Sequence, residues 1–314
     1  MTMLSFVIPC YRSAGTIAAV VGEIETAVAA MPGYGHEIIL VNDASPDNTF
    51  EVIVQLCAEN PRVTGVSLAK NFGQHAALMA GFAHVAGDIV ICLDDDGQTP
   101  ADEAGKLVTA IQAGSDVVYA NYTDKKHNPL RNFGSGLNDV MARWMLGKPK
   151  NLLVSSYFAA RRFVIDEVLK YQNPYPYIIG LILRTTDSIV NVPVTHRSRT
   201  AGKSGYTFGK LLALWVNGFT SFSVKPLRIA TFIGFLTGLA GFAMLIWTIV
   251  NKIITPDVPL GYSSTMATLL FIGGMIMLIL GLIGEYVGRM YISVNNAPQY
   301  VVRTVIEPQK PPED

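Results

Sequence analysis

Two uncharged stretches in the last third of the chain constrain its fold more than any other feature. Twenty-three consecutive residues between Arg228 and Lys252 carry no charge, and 27 between Asp257 and Glu285 carry none either. Each exceeds the roughly 20 apolar residues that cross a bilayer as a helix. Two membrane helices are therefore expected, over about 227–250 and 263–287. Buried core helices are the competing reading, and two such lengths in succession argue against it. Lys203, Lys210, Lys225 and Arg228 precede the first stretch, and Arg289 and Arg303 follow the second. The loop between offers only Lys252, beside Asp257. Lys and Arg accumulate on the cytoplasmic side, so both termini are expected there, with 252–262 the one substantial segment on the far side. Met1-Thr2-Met3-Leu4 leads straight into a strand, with no signal-peptide pattern.

The residues before about 200 differ in kind. Short apolar runs alternate with amphipathic stretches: strands near 4–9, 37–41, 63–68, 89–93 and 116–120, and helices near 16–30, 48–59, 74–85 and 102–113. That alternation predicts an α/β domain with a parallel, doubly wound sheet. A helix near 130–146, a strand near 157–160 and another around 191–194 follow. The stretch 208–222 carries Leu211, Leu212, Trp215, Phe219 and Phe222, a pattern that fits a helix lying in the membrane interface or a core helix. The Pro-rich end from Glu307 has no periodicity. Formal net charge is zero, which argues against nucleic acid as a partner. Three cysteines, Cys10, Cys57 and Cys92, have no metal-type spacing and read as reduced, buried thiols.

One short apolar run, Ile89-Val90-Ile91-Cys92-Leu93, ends in Asp94-Asp95-Asp96-Gly97-Gln98. A continuous apolar run of this length reads as a central strand. Acids at its carboxyl end sit where open α/β sheets place their ligand crevice. Three adjacent carboxylates repel unless a cation neutralises them. Hard oxygen ligands suit Mg²⁺ or Mn²⁺, which commonly arrives with a substrate diphosphate. A solvated acidic turn or a helix N-cap is the competing reading, since Thr99-Pro100 opens a helix. Two nucleotide motifs fail. The first turn, Cys10-Tyr11-Arg12-Ser13-Ala14-Gly15, lacks the dinucleotide glycine triplet, and Ala201-Gly202-Lys203-Ser204 has Arg197 where a P-loop needs glycine. A second acid, Asp43, stands one step past the second strand, on the same sheet edge as Asp94. It suits a base or ribose contact, while Asp47 reads as an N-cap.

These segments resemble family 2 glycosyltransferases with the GT-A fold. Phe6-Val7-Ile8-Pro9-Cys10-Tyr11, Val41-Asn42-Asp43-Ala44-Ser45 and Leu93-Asp94-Asp95-Asp96-Gly97-Gln98 carry the likeness. Lys70-Asn71-Phe72-Gly73-Gln74-His75, the Arg199, Gly202, Ser204, Tyr206 stretch, Ser223-Val224-Lys225-Pro226-Leu227-Arg228 and Gly284-Glu285-Tyr286-Val287-Gly288-Arg289 are similar to the polyprenyl-phosphate branch. That branch includes dolichyl-phosphate mannosyltransferase, bactoprenol glucosyltransferases and the aminoarabinose transferase of lipid A modification.

The resemblance implies a cytoplasmic catalytic domain over 1–206, an amphipathic interface helix over 207–226, a two-helix membrane domain over 227–290 and a cytoplasmic tail over 291–314. It implies a homo-oligomer in the bacterial inner membrane. The transfer would be inverting: one sugar moves from a nucleotide donor, a UDP-sugar first, to polyprenyl (undecaprenyl) phosphate, for cell-envelope glycan, O-antigen or lipid A modification. Pro9, Tyr11 and Asp43 would hold the nucleoside, with Asp95 at the nucleotide through its backbone. Asp94, Asp96 and Gln98 would bind Mg²⁺ or Mn²⁺ and the diphosphate. Arg131, Arg199 and Lys203 would face phosphates, Arg131 within the catalytic set with Asp94 and Asp96, with surface arginine the competing reading of Arg131 and Arg199. His75 reads as a cap or packing residue.

Two positions depart from the pattern. Many relatives have an acid where this chain has Ser156, and a lysine where it has Gly205, with Lys203 a substitute. A phosphomonoester has a second pKa of about 6 and is largely dianionic near neutral pH, so the acceptor needs no base. On that reading Ser156→Ala changes turnover little. The alternatives are a processive polysaccharide synthase, for which two spans are few and the Gln-x-x-Arg-Trp signature is missing at Val140, and a non-catalytic sugar-nucleotide-binding scaffold. Gly234 with Gly238 and Gly284 with Gly288 form small-residue pairs suited to close helix packing.

Overall fold

The computed structural model describes residues 1–122, 143, 148–195, 225–254, 261–295 and 297–307. The expected helix near 130–146, save Arg143, and the stretch 208–222 lie outside them. The chain divides into two compact units, Met1–Tyr206 with Asn296–Asp314, and Thr207–Asn295.

In the first unit the predicted alternation is present. It runs β1 (Thr2–Cys10), α1 (Ile17–Ala29), β2 (Tyr34–Asn42), α2 (Thr49–Glu59), β3 (Val63–Leu68), α3 (Gln74–Phe82) and β4 (Ile89–Cys92). A 3-10 turn (Ala101–Glu103) then enters α4 (Ala104–Gln112), followed by β5 (Val117–Tyr122). Next come β6 (Phe158–Arg161), α5 (Arg162–Leu169), α6 (Ile178–Thr185) and β7 (Ile189–Val194); β8 (Val302–Ile306) comes from the far end of the chain. The eight strands form one sheet in the order β7-β5-β6-β4-β1-β2-β3-β8. β1 is parallel to β2 and β4, β2 to β3, and β5 to β7. β6 runs antiparallel between β4 and β5, and β8 antiparallel against β3. The sheet is thus Rossmann-like and mostly parallel, with two antiparallel insertions that the element order alone does not specify.

Burial on both faces explains the uninterrupted apolar runs of β1 and β4. On one face Leu4, Phe6, Ile8, Ile38, Leu40, Ile89 and Ile91 join Ile17, Val20 and Ile24 of α1 and Leu107, Val108 and Ile111 of α4 in a single buried cluster. On the other face Val7, Ile39 and Val41 meet α3, whose Ala76, Ala77, Ala80 and Gly81 are all buried. Small side chains let this helix lie close to the sheet. A Cβ on Gly81 would stand 3.0 Å from Val41 Cγ2 and closer still to Val7 Cγ1. The three cysteines are buried and free, as their spacing suggests.

The second unit holds α7 (Lys225–Ile254) and α8 (Tyr262–Val294). Their segments Ala230–Asn251 and Phe271–Val294 have hydropathies of 2.0 and 1.9 and are long and apolar enough to cross a membrane. Neither is buried within the protein, so the core-helix reading fails among the described residues. Phe235, Phe242, Trp247, Phe271 and Met277 are all exposed, an apolar surface larger than a water-facing helix pair tolerates. A Cβ on Gly234 would stand 3.6 Å from Ile279 Cδ1, whereas nothing stands within 4 Å of where side chains on Gly238, Gly284 or Gly288 would begin.

Gly81→Ala should destabilise the first unit by about 1–3 kcal/mol through overpacking between α3 and β1. Thermal melting of the detergent-solubilised chain checks this, and an unchanged midpoint would contradict the close approach.

Candidate functional site

β1 has β2 on one side and β4 on the other, so the strand order reverses there, and open α/β sheets place their ligand crevice at such a point. Cys10 is in register with Asn42, and Val7 with Cys92. The loops after β1, β2 and β4 therefore leave the sheet side by side. Backbone hydrogen bonds from Asp43 N to Cys10 O (3.0 Å) and from Leu93 N to Val7 O (3.4 Å) carry the pairing one step past the strands. The loops enclose a cleft of 390 Å³ lined by Pro9, Tyr11, Asp43, Asp94, Asp95 and Asp96, together with Cys10, Asn71, Gly73 and Gln74. All six sequence-predicted donor residues thus meet in one cavity.

The four carboxylates there are held in four different ways. Asp43 is buried. Its Oδ1 accepts from Phe72 N (2.7 Å) and its Oδ2 from Gly73 N (2.8 Å), bonds that tie the β2 loop to the segment entering α3. Gly73, at φ +90° and ψ 161°, adopts a backbone conformation open essentially to glycine just where these amides are presented. Burial raises the Asp43 carboxyl above the usual range, and those two amides oppose the rise. Asp95 Oδ2 accepts from Tyr11 N at 3.0 Å and from the Ser13 hydroxyl, so it fastens the β4 loop to the β1 loop. Burial raises its carboxyl as well.

Asp94 takes Gln74 Nε2 on Oδ1 (3.2 Å) and the Ser156 hydroxyl on Oδ2. Burial, with Asp96 and Asp95 adding repulsion, pushes its carboxyl to about 6, while the Ser156 and Gln74 hydrogen bonds oppose the rise. Asp96 Oδ1 accepts from Gln98 N at 3.1 Å, across a turn that Gly97 closes at φ +71°. Two non-glycine residues in these loops also adopt left-handed backbone, Arg12 (φ 60°) and Ala44 (φ 48°). Strain of this kind persists where surrounding contacts over-determine the loop. Here Arg12 N donates to Ser45 Oγ and Ser45 N to Asn42 Oδ1.

Asp95 therefore points into loop-tying contacts, and Asp94 and Asp96 remain beside the open cleft. Among the described residues no three His, Cys, Asp or Glu side chains converge as a metal cage. Two carboxylates on one short turn nonetheless fit Mg²⁺ or Mn²⁺, which bind through one or two carboxylates plus substrate phosphates. Gln98 stays in this turn through its backbone. Arg131, Arg199 and Lys203 lie outside the described residues. His75 does not line the cleft; its ring meets Tyr177 edge-on at 5.1 Å. Its Nδ1 is sealed from solvent without a hydrogen-bond partner, which fits the packing reading. Gln74 and Asn71 belong to the site although no sequence argument gave them a role. Their signal was position alone, immediately before and at the start of a helix whose first turn faces the crevice.

The sequence model of glycosyl transferase family 2 matches residues 5–169, and that of the GtrB C-terminal hairpin matches residues 225–290. Among solved structures the chain is similar to glucosyl-3-phosphoglycerate synthase from Mycobacterium tuberculosis in complex with phosphoglyceric acid. The identity is 22%, with 64% of this chain and 73% of that one covered, and the TM-score is 0.49. The same enzyme in complex with Mn²⁺, UDP-glucose and phosphoglyceric acid matches at 20% identity, 64% and 73% coverage and a TM-score of 0.48. Its complex with Mn²⁺ and UDP-glucose matches at 22% identity, 74% and 78% coverage and a TM-score of 0.49.

Burial lowers the His75 imidazole from 6.5 to about 4. Below pH 6.5 the unfolded chain takes up a proton that the folded chain refuses. Stability is thus complete above that pH and falls by up to about 3 kcal/mol as pH drops towards 4. His75→Phe should flatten this part of the melting-temperature profile between pH 7.5 and 4.5. Equal slopes in variant and parent would contradict the assignment.

Proposed function

Because this chain belongs to glycosyl transferase family 2, and is a glycosyltransferase of the GT-A fold carrying the C-terminal hairpin of the polyprenyl-phosphate branch, we propose the following reaction. One sugar passes from a nucleotide-sugar donor, a UDP-sugar first, to a polyprenyl phosphate such as undecaprenyl phosphate at the cytoplasmic membrane face. The observation that carries this reading is an acidic cleft and a long apolar helix pair in a single chain. An insoluble acceptor has to present its head group at the bilayer surface, and a soluble enzyme has no need of α7 and α8.

In this reading Pro9, Tyr11 and Asp43 bind the nucleoside, and Asp95 keeps the first and fourth loops together around it. Asp94, Asp96 and Gln98 hold Mg²⁺ or Mn²⁺, which when bound offsets the charge of the diphosphate. Arg131, Arg199 and Lys203 face phosphates, where a planar guanidinium pairs bidentately with their oxygens. An oxygen of the acceptor phosphate attacks the anomeric carbon while the bond to the diphosphate breaks on the opposite side, which inverts the anomeric centre. The acceptor is already a dianion near neutral pH, so the protein contributes position and charge rather than a base.

The connection to β8 supports a topology for the helix pair. Pairing of Val302–Ile306 with β3 makes residues on both sides of the helix pair part of one folded unit. That supports an even number of crossings, with both open ends on the catalytic side. The charge pattern supports the cytoplasm as that side. The unoccupied faces of Gly238, Gly284 and Gly288 suit a homo-oligomer packed through the helices.

Two experiments test the reading. Purified chain given undecaprenyl phosphate and a panel of labelled nucleotide sugars should yield one labelled lipid in a divalent-metal-dependent way, and Asp96→Ala should lower that yield at least ~100-fold while melting like the parent. Near-normal transfer by Asp96→Ala would remove the acidic turn from the mechanism. For topology, Gly261→Cys should react with an impermeant thiol reagent outside intact cells, and Glu307→Cys should not. Reversed labelling would overturn the orientation.

A further inference from the structure

Ser156 has a partner that its place in the sequence does not reveal. Its hydroxyl donates to Asp94 Oδ2, and Gln74 Nε2 donates to Oδ1 of the same carboxylate. The two donors come from separate parts of the fold. Gln74 opens α3, directly after the Phe72 and Gly73 amides that are bound to Asp43. Ser156 lies two residues before β6, and its neighbours on both sides are fixed. The Ser155 hydroxyl is bonded to Ala120 O (3.0 Å) and Tyr157 O (2.7 Å). Tyr157 is fully buried, with its hydroxyl on Pro100 O at 3.0 Å. A carboxylate that receives one anchored donor on each oxygen cannot turn about its terminal bond without losing both. Each oxygen still keeps a lone pair for a ligand.

We propose that Ser156 and Gln74 are positioning residues that clamp the Asp94 carboxylate in one orientation, and that Ser156 acts on the reaction through Asp94 rather than on the acceptor. This rests on the reading of Asp94 as a ligand of the metal diphosphate. It revises the sequence expectation that Ser156→Ala is nearly silent. Groups that orient a metal's ligands affect affinity for the metal itself, typically by 10–100-fold.

The test uses the full chain in detergent, with Mn²⁺ titrated in the presence of UDP and free Mn²⁺ read by electron paramagnetic resonance. Ser156→Ala and Gln74→Ala should each weaken Mn²⁺ binding by about 10-fold, and Ser156→Thr, which keeps the hydroxyl, should stay close to the parent. In an Asp94→Ala background, Ser156→Ala should change binding by less than about twofold, since the two residues then share no interaction. If Ser156→Ala fails to fold by thermal melting, the exposed Gln74 carries the same prediction. Parent-like Mn²⁺ binding in the folded Ser156→Ala and Gln74→Ala variants, or an undiminished Ser156→Ala effect in Asp94→Ala, would overturn the clamp alone. A parent that binds no Mn²⁺ with UDP would instead overturn the metal-diphosphate reading, and the clamp's role with it.

Discussion

Pairing of β1 with β2 on one edge and with β4 on the other brings three loop starts, at Tyr11, Asp43 and Leu93, to one point on the sheet. Everything at the cleft depends on that alignment. It holds because β1 is buried on both faces, so a one-residue slip would move Phe6 and Ile8 out of the α1–α4 core and into the space that α3 occupies. The close fit of Gly81 on Val7 and Val41 locks the second face in the same register. Sheet packing thereby fixes the positions of acids that would otherwise avoid one another.

The second constraint is electrostatic. Carboxylates at the end of a buried strand lose water, and their mutual repulsion adds to that cost. The fold separates the problem residue by residue. Asp43 and Asp95 receive two donors each and become struts between loops. Asp94, with its carboxyl pushed up to about 6 by burial and its neighbours, and Asp96 stay at the open side. An acid kept in such surroundings is a common mark of a functional site. A divalent cation beside these carboxylates would offset the repulsion that the Gln74 and Ser156 hydrogen bonds only partly oppose.

Much of this was legible in the residues. Short apolar runs placed the strands within a few residues, and two uncharged stretches marked α7 and α8. The grouping of Asp43 with Asp94 followed from parallel strands sharing one carboxyl edge. Other features were not legible, for physical reasons. β8 is a five-residue edge strand whose partner lies more than 230 residues away, and Val301–Ile306 carries the β-branched signal without any sign of where it pairs. β6 runs antiparallel to both β4 and β5, which no local propensity encodes. The division of labour among Asp94, Asp95 and Asp96 depends on single hydrogen bonds from Ser13, Gln74 and Ser156, which are long-range contacts between ordinary polar residues.

The first unit supplies an acidic crevice at the sheet edge, and the second supplies two helices long and apolar enough to cross a membrane. The account rests most heavily on the acidic turn as a metal-diphosphate site. Anomalous scattering from Mn²⁺ in crystals of the full chain grown with Mn²⁺ and UDP tests that point most directly. The account predicts one manganese peak between the Asp94 and Asp96 side of the cleft and the diphosphate. UDP seated in the cleft with no manganese at that turn, or manganese bound elsewhere, would contradict it.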